Sequence, residues 1–317
     1  MELAESLLAG NRLALARALS QVENDTSEGR QLLSALFPYT GRAHLIGVTG
    51  APGTGKSSLV NQLARFFRQP PGGGKSSSVA IIAVDPSSPF TGGALLGDRI
   101  RMRDLAGDPG VFIRSMASRG ALGGLAAAAS GVALVFDAAG FEIILIETVG
   151  AGQAEVDIAR LAHTTLVVET PGLGDDIQAI KAGLLEIADI LVINKADQPG
   201  LEKAERALKS MLELAPSRTN GWAPPICCTI ATQGIGLADL VDAIHRHRLH
   251  LDQTGEWQQR ERDRLRAEME LILHAALIDR WRETIPEADY QAVLAALLER
   301  RLSPRQAVEK LLNGGLP

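Results

Sequence analysis

An α/β fold carrying a doubly wound, largely parallel sheet is predicted by three features of the sequence. Short apolar runs alternate with helical stretches between residues 44 and 229; the runs are apolar throughout; and a glycine-rich loop follows directly on the first of them. Uninterrupted apolar runs suit strands covered by helices on both faces. Strands that alternate with helices pair in parallel, because each connection must cross back along the sheet. Helical extensions are expected at both ends, dividing the chain into segments 1–42, 43–252 and 253–317.

Taken in order, residues 1–42 read as helical, with Leu8, Leu15, Leu19 and Val22 on one 3.6-residue stripe. The strand candidates are His44–Thr49, Val79–Asp85, Phe141–Thr148, Thr164–Thr170, Asp189–Asn194 and Pro225–Thr229. The segment Pro70–Ser78 resembles a second phosphate loop, but Gln69 holds the position that needs its first glycine, so it reads as a flexible surface connection. Beyond Gly255 the pattern is helical, and Leu265, Met269, Ile272 and Ala276 form a short heptad-like seam. That seam fits either an arm packed on a second copy or a terminal hairpin on its own domain. Thr284 before Ile285-Pro286 and Ser303-Pro304-Arg305-Gln306 mark helix starts, the latter with capping-box spacing.

Composition narrows the function classes. The chain has 317 residues, 46% of them hydrophobic, enough for a large core, and its net charge of −5 leaves no basic footprint for nucleic acid. Cys227 and Cys228 are adjacent and point to opposite faces of a strand, which predicts buried thiols and no disulfide framework. Glu2, Glu5, Arg12 and Arg17 interrupt the amino-terminal apolar residues, a pattern unlike a signal or transit peptide. The uncharged run Leu125–Phe136 is shorter than the roughly 18 residues that suggest a membrane span. A cytoplasmic protein is expected.

Chemistry concentrates in two motifs. Gly50-Ala51-Pro52-Gly53-Thr54-Gly55-Lys56-Ser57, continued by Ser58, has the spacing of a loop whose backbone N–H groups cradle phosphates at a helix N-terminus. Lys56 would reach the β- and γ-phosphates and Ser57 would ligate Mg²⁺. Asn194-Lys195-Ala196-Asp197 follows a later strand and suits guanine, since Asp197 could accept from N1–H and the exocyclic amine, a donor pair that adenine lacks. Asn194 would contact the other base edge or tie it to the phosphate loop, and the Lys195 stem would lie over the ring. Together the motifs predict a P-loop GTPase.

Asp85, Asp98 and Glu147 at or near strand ends are candidate Mg²⁺ partners, since that ion needs only one or two carboxylates beside the phosphates. Gly150 stands where a backbone N–H would sense the γ-phosphate. Gln153 lies slightly beyond the usual place of a water-orienting glutamine, which predicts slow hydrolysis without a partner. His245, His247 and His250 are interleaved with arginines and read as a solvated helix end.

Longer stretches resemble a known family. The phosphate loop, Val84-Asp85-Pro86-Ser87-Ser88, Thr91–Met102, Ser118–Gly124 and Glu147–Glu155 are similar to the MeaB/ArgK GTPases associated with methylmalonyl-CoA mutase, and the likeness runs from about His44 to Asp239. The resemblance implies a homodimer that binds GTP with Mg²⁺ and associates with an adenosylcobalamin-dependent acyl-CoA mutase. It also implies that the chain gates loading of adenosylcobalamin, which the partner binds, and protects or reactivates that enzyme. Carried over by position, Lys56, Asp98, Glu147 and Gly150 serve catalysis, and Ser57, Asp85, Asp98 and Glu147 the metal. Gly172–Lys181 resembles a further switch loop, with Asp175, Asp176, Gln178 and Lys181 as coupling residues. One departure stands out: Ile230-Ala231 replaces the family's usual Ser-Ala or Ser-Gly, leaving the Ala231 N–H to meet guanine O6 without the serine hydroxyl. A nickel-insertion GTPase, a P-loop kinase and a nucleotide-stabilised scaffold remain open alternatives.

Overall fold

The computed structural model describes residues 2–86, 103–105, 107–118, 124–148, 160–172, 182–214 and 221–312. Its strands are β1 (His44–Thr49), β2 (Val79–Pro86), β3 (Val111–Ser118), β4 (Ile143–Glu147), β5 (Thr164–Glu169), β6 (Ile190–Asn194) and β7 (Ile226–Thr229). They form one sheet in the order β3-β2-β4-β1-β5-β6-β7, every pairing parallel. The expected doubly wound sheet is therefore borne out, with one strand more than the apolar runs indicate. The addition is β3, an edge strand in which Arg114 and Ser115 break the apolar pattern. Arg114 is tolerated there because its guanidinium pairs with Glu23 and reaches Ser20 Oγ at 3.3 Å.

The helices are α1 (Glu2–Leu8), α2 (Arg12–Glu23), α3 (Ser27–Leu36), α4 (Lys56–Arg68), α5 (Gly124–Ala138), α6 (Ala182–Ile187), α7 (Leu201–Leu214), α8 (Leu237–Thr254), α9 (Glu256–Thr284), α10 (Glu287–Leu298) and α11 (Pro304–Leu312). Successive residues of each strand point to opposite faces, and both faces are covered. Ile46, Val48, Ile81, Leu145, Leu166 and Val168 pack with α4 and α8. Leu45, Ile82, Ile144 and Ile146 pack with α1–α3 and α5. Val167, Leu191 and Ile193 complete that second side against α7. The two thiols divide as expected: Cys227 is buried toward α8, and Cys228 faces the α7 side, half-buried. Burial pushes the Cys227 thiol up to about 11.

Two expectations need correction. Leu8 is not part of the buried amino-terminal stripe: the chain turns at Gly10, Asn11 caps α2 by accepting from the Leu13 and Ala14 N–H groups, and Leu7 is buried in place of Leu8. His247 does not belong to a solvated helix end. It falls on the inner stripe of α8 with Leu240, Ile244 and Leu251 and is fully buried, whereas His245 is exposed. Of the intervening arginines, Arg246 is exposed and pairs with Asp242, and Arg248 is half-buried over the Trp257 ring, so arginines on either side of His247 do not make its own face solvated.

By its contacts the chain divides into two compact units, residues 1–264 and 265–317. In the second, Met269 and Ile272 of the predicted seam are each 60% exposed. Ser303 and Gln306 form the expected capping box, with the Ser303 N–H donating to Gln306 Oε1 at 2.9 Å and the Gln306 N–H to Ser303 Oγ at 3.3 Å. Thr284 caps nothing; its hydroxyl donates back to the Trp281 carbonyl, and Pro286 occupies the N-cap of α10. Among the described residues no helix is long and apolar enough to cross a membrane.

The segment that leads into β1 is held by one carboxylate. Asp137 of α5, 6% exposed, accepts from the N–H groups of Gly41 at 2.6 Å, Arg42 at 3.2 Å and Ala43 at 3.0 Å. Removing it leaves backbone donors without acceptors, so Asp137→Ala is expected to cost about 2–4 kcal/mol. Urea denaturation checks this: the midpoint should fall with an unchanged slope, and Asp137→Asn should lose less.

Candidate functional site

The site lies where parallel strands deliver their carboxyl ends to one edge, the position at which open α/β sheets bind ligands. The chain leaves β1 at Thr49, which is fully buried, and turns through Gly50 with φ +141°. A Cβ at Gly50 would stand 2.1 Å from the Val168 carbonyl oxygen, so the loop passes under β5 only without a side chain. At Gly55, φ +88°, a Cβ would meet Asn194 Nδ2 at 2.5 Å. The two glycines thus set how closely the phosphate loop approaches β5 and the end of β6.

Lys56 is the first residue of α4 and only 5% exposed. Its ammonium folds back over the loop and donates to the Gly50 and Ala51 carbonyls at 2.8 and 2.9 Å. Thr54 Oγ1 donates to the Ala51 carbonyl at 3.0 Å, so the turn is braced from inside. Ser57, next along α4, donates through Oγ to Glu147 Oε1 at 2.5 Å. Glu147 ends β4 and is 5% exposed. A hydroxyl and a carboxylate are thereby brought together beside the loop lysine, an all-oxygen pair suited to a hard cation.

Asn194, the last residue of β6, joins three segments. Its Nδ2 donates to the Thr54 carbonyl at 2.8 Å, while its Oδ1 accepts from the Ala231 N–H at 3.0 Å and from Thr229 Oγ1 at 3.2 Å. Lys195 adopts a left-handed φ of +58° and donates from Nζ to the Gly53 carbonyl at 2.8 Å. Asp197 is exposed. The Ala231 amide, expected to face guanine O6, is engaged by Asn194. Ile230 closes the following turn through its backbone, its N–H donating to the Ile235 carbonyl at 3.0 Å.

The structure therefore brings together Lys56, Ser57, Glu147, Asn194, Lys195 and Ala231. Asp85 lies at the end of β2, in register with Ala117 of β3. Asp98, Gly150, Gln153, Asp175, Asp176, Gln178 and Lys181 lie outside the described residues. Sequence reasoning passed over two groups at this edge. Thr229 was read only as the end of a strand, although its place two residues before Ala231 puts its hydroxyl on Asn194. Glu169 ends β5 at 8% exposure, a strand-end carboxylate of the kind that singled out Glu147.

The family model for methylmalonyl-CoA mutase-associated GTPase MeaB matches residues 15–285. A protein of Pyrococcus abyssi is 43% identical over 99% of this chain and 98% of its own length. The GTPase ArgK of Escherichia coli is 35% identical over 98% of this chain and 95% of its own length. A crystal structure described as a LAO/AO transport system kinase superposes with a TM-score of 0.74 at 28% identity, covering 98% of this chain and 96% of that one.

Asn194→Ala would remove the bonds that join the phosphate loop to the Thr229–Ala231 turn. With a loss of about 2–3 kcal/mol, GDP affinity should fall by roughly 30- to 150-fold. Calorimetric titration with GDP measures it, and an affinity within a few-fold of the parent chain would mean that this bridge does not shape the site.

Proposed function

Because this chain belongs to the MeaB family of GTPases, we propose that it is the GTP-hydrolysing chaperone of an adenosylcobalamin-dependent acyl-CoA mutase in the cytoplasm. In this reading it gates loading of the mutase with adenosylcobalamin, which the mutase binds, and it protects or reactivates that enzyme. The family match across residues 15–285 is the observation that carries the mutase assignment. Binding of guanine nucleotide and hydrolysis of GTP to GDP and phosphate belong to the family as such.

The geometry supports specific roles for the chain's own residues. Lys56 holds two neutral carbonyls and would exchange them for β- and γ-phosphate oxygens, a gain because the acceptor then carries charge as well as the donor. Ser57 and Glu147 fit Mg²⁺: both offer oxygen, their atoms already meet at 2.5 Å, and the ion keeps most of its remaining shell for water and phosphate. When bound, the ion supplies positive charge against the phosphate oxygens. Asp85 and Asp98 would complete the acidic set. Asp197 would read the guanine N1–H and amine, with Asn194 holding the base loop to the phosphate loop and Lys195 covering the ring. Gly150 would report the γ-phosphate, and Asp175, Asp176, Gln178 and Lys181 would couple nucleotide state to the mutase.

Segment 43–252 is the GTPase domain in this reading, preceded by a helical extension and followed by an arm at 253–317. The exposed Met269, Ile272, Leu277 and Ile278 of α9 offer apolar surface for a second copy, consistent with a homodimer.

The test is reactivation of a purified acyl-CoA mutase. With GTP and adenosylcobalamin the chain should load or rescue the mutase, and added mutase should speed phosphate release. Glu147→Gln should weaken Mg²⁺ by at least about 10- to 100-fold, seen as a raised magnesium requirement for hydrolysis. No loading and no rescue would sink the chaperone reading. A phosphorylated product in place of free phosphate would favour the kinase activity for which the solved relative is described.

A further inference from the structure

At the amino edge of the sheet, opposite the nucleotide site, a second polar cluster lies under the first turns of α9. His44 of β1 is 6% exposed, His163 just before β5 2%, Thr164 0%, Asp189 just before β6 1%, and His247 of α8 0%. Thr164 Oγ1 lies 2.7 Å from His44 Nε2 and 2.9 Å from His247 Nδ1. His247 Nε2 faces Asp189 Oδ1 at 3.4 Å. The Leu45 N–H donates to His163 Nδ1 at 3.1 Å, which leaves the ring's proton on Nε2, where it meets Glu261 Oε1 at 2.6 Å.

What covers this cluster is itself polar. Arg260 forks onto both oxygens of Asp189 at 2.7 and 2.9 Å and donates to the His163 carbonyl at 2.8 Å. Arg264 pairs with Glu261 at 2.9 Å, and Glu256 lies 3.9 Å from Arg260. Trp257 is the one buried apolar side chain of α9, stacked on His163 at 3.7 Å and lying under Arg248 of α8 at 3.1 Å from its ring centre. The joint with α8 is Gly255, φ +74°, with open space around it.

We propose that Glu256–Arg264 form an acid-released strap over the amino edge of the sheet, hinged at Gly255, closed at neutral pH and lifted as His44 and His163 beneath it take protons. Lifting costs little because the strap hides one tryptophan and otherwise charged groups that water solvates well. Linkage sets the direction. Closed, His44 is held well below the usual imidazole range by burial and by the cationic side of His163, Arg248, His247 and His245. His163 is lowered by burial and by Arg264 and Arg248, against the opposing pull of Glu261. Uncovered, both return toward about 6.5, so the open state binds protons more tightly and acid favours it. The strap carboxylate Glu261 titrates elsewhere: burial pushes it up, but His163 and Arg264 outweigh this and hold it down to about 2.

Hydrogen exchange on the full chain with GDP, at pH 7.5 and 5.5 and corrected for intrinsic rates, tests the strap. Between these two pH values exchange in 256–264 should rise by up to about tenfold for each imidazole that closure depresses, because pH 5.5 lies about one unit below the open-state value, while 44–49 and 56–68 keep their protection. His163→Gln should shrink the pH effect. Should that variant fail to fold, the two-pH comparison on the parent chain still decides. Exchange in 256–264 that is independent of pH, or that rises in step with 44–49 and 56–68, overturns the proposal.

Discussion

A parallel sheet buried on both faces is the constraint from which both polar clusters follow. With α4 and α8 on one side and α1–α3, α5 and α7 on the other, the strands inside the edge strand β3 have no polar outlet along their length. Polar side chains are therefore pushed to the two edges, where backbone groups also run out of partners. Because every pairing is parallel, like ends gather. Thr49, Glu147 and Asn194 collect at the carboxyl edge, and His44, Thr164 and Asp189 at the amino edge. An antiparallel sheet would have mixed the two sets.

At the carboxyl edge the energetics favour rigidity. Among the described residues, the carbonyls of Gly50, Ala51, Gly53 and Thr54 are each bonded by Lys56, Lys195 or Asn194. Gly50, with no Cβ, lets the loop pass under the Val168 carbonyl. The departure at Ile230 is accommodated in the same way. The turn there closes by its main chain, and Asn194 is held by Thr229 and Ala231, so the side chain at 230 makes none of these bonds. The bonds that join Asn194 to the turn therefore need no serine hydroxyl at position 230.

How far the sequence was legible follows from where the signal resides. Six strands announce themselves as apolar runs, five because they are interior to the sheet and β7, at its far edge, because its short run carries no charge. The phosphate and guanine motifs stand out through their glycines and polar residues at fixed spacing. β3 escaped because an edge strand can carry Arg114, given Glu23 of α2 as a partner distant in sequence. His247 was misplaced for the same kind of reason. Its neighbours in sequence are arginines, while its neighbours in space are Thr164 and Asp189, and only the 3.6-residue stripe through Leu240, Ile244 and Leu251 would have revealed the buried face. Asp137, Arg260 and Glu261 look like ordinary surface charges until their partners are known.

The two edges differ in what it would take to open them. Among the described residues of the carboxyl edge, the bonds of Lys56, Lys195 and Asn194 end on main-chain atoms of the loop between β1 and α4. At the amino edge the bonds end on long side chains of one helix, joined to its predecessor through a glycine, and both surfaces are polar. Separating two polar surfaces exchanges ion pairs for hydration, and the buried imidazoles gain a proton site that closure had withheld. The two ends of the same strands thus differ in their partners: at one, Lys56, Lys195 and Asn194 bond the main chain of a glycine-bearing loop, and at the other, ion pairs join long charged side chains beside a glycine joint.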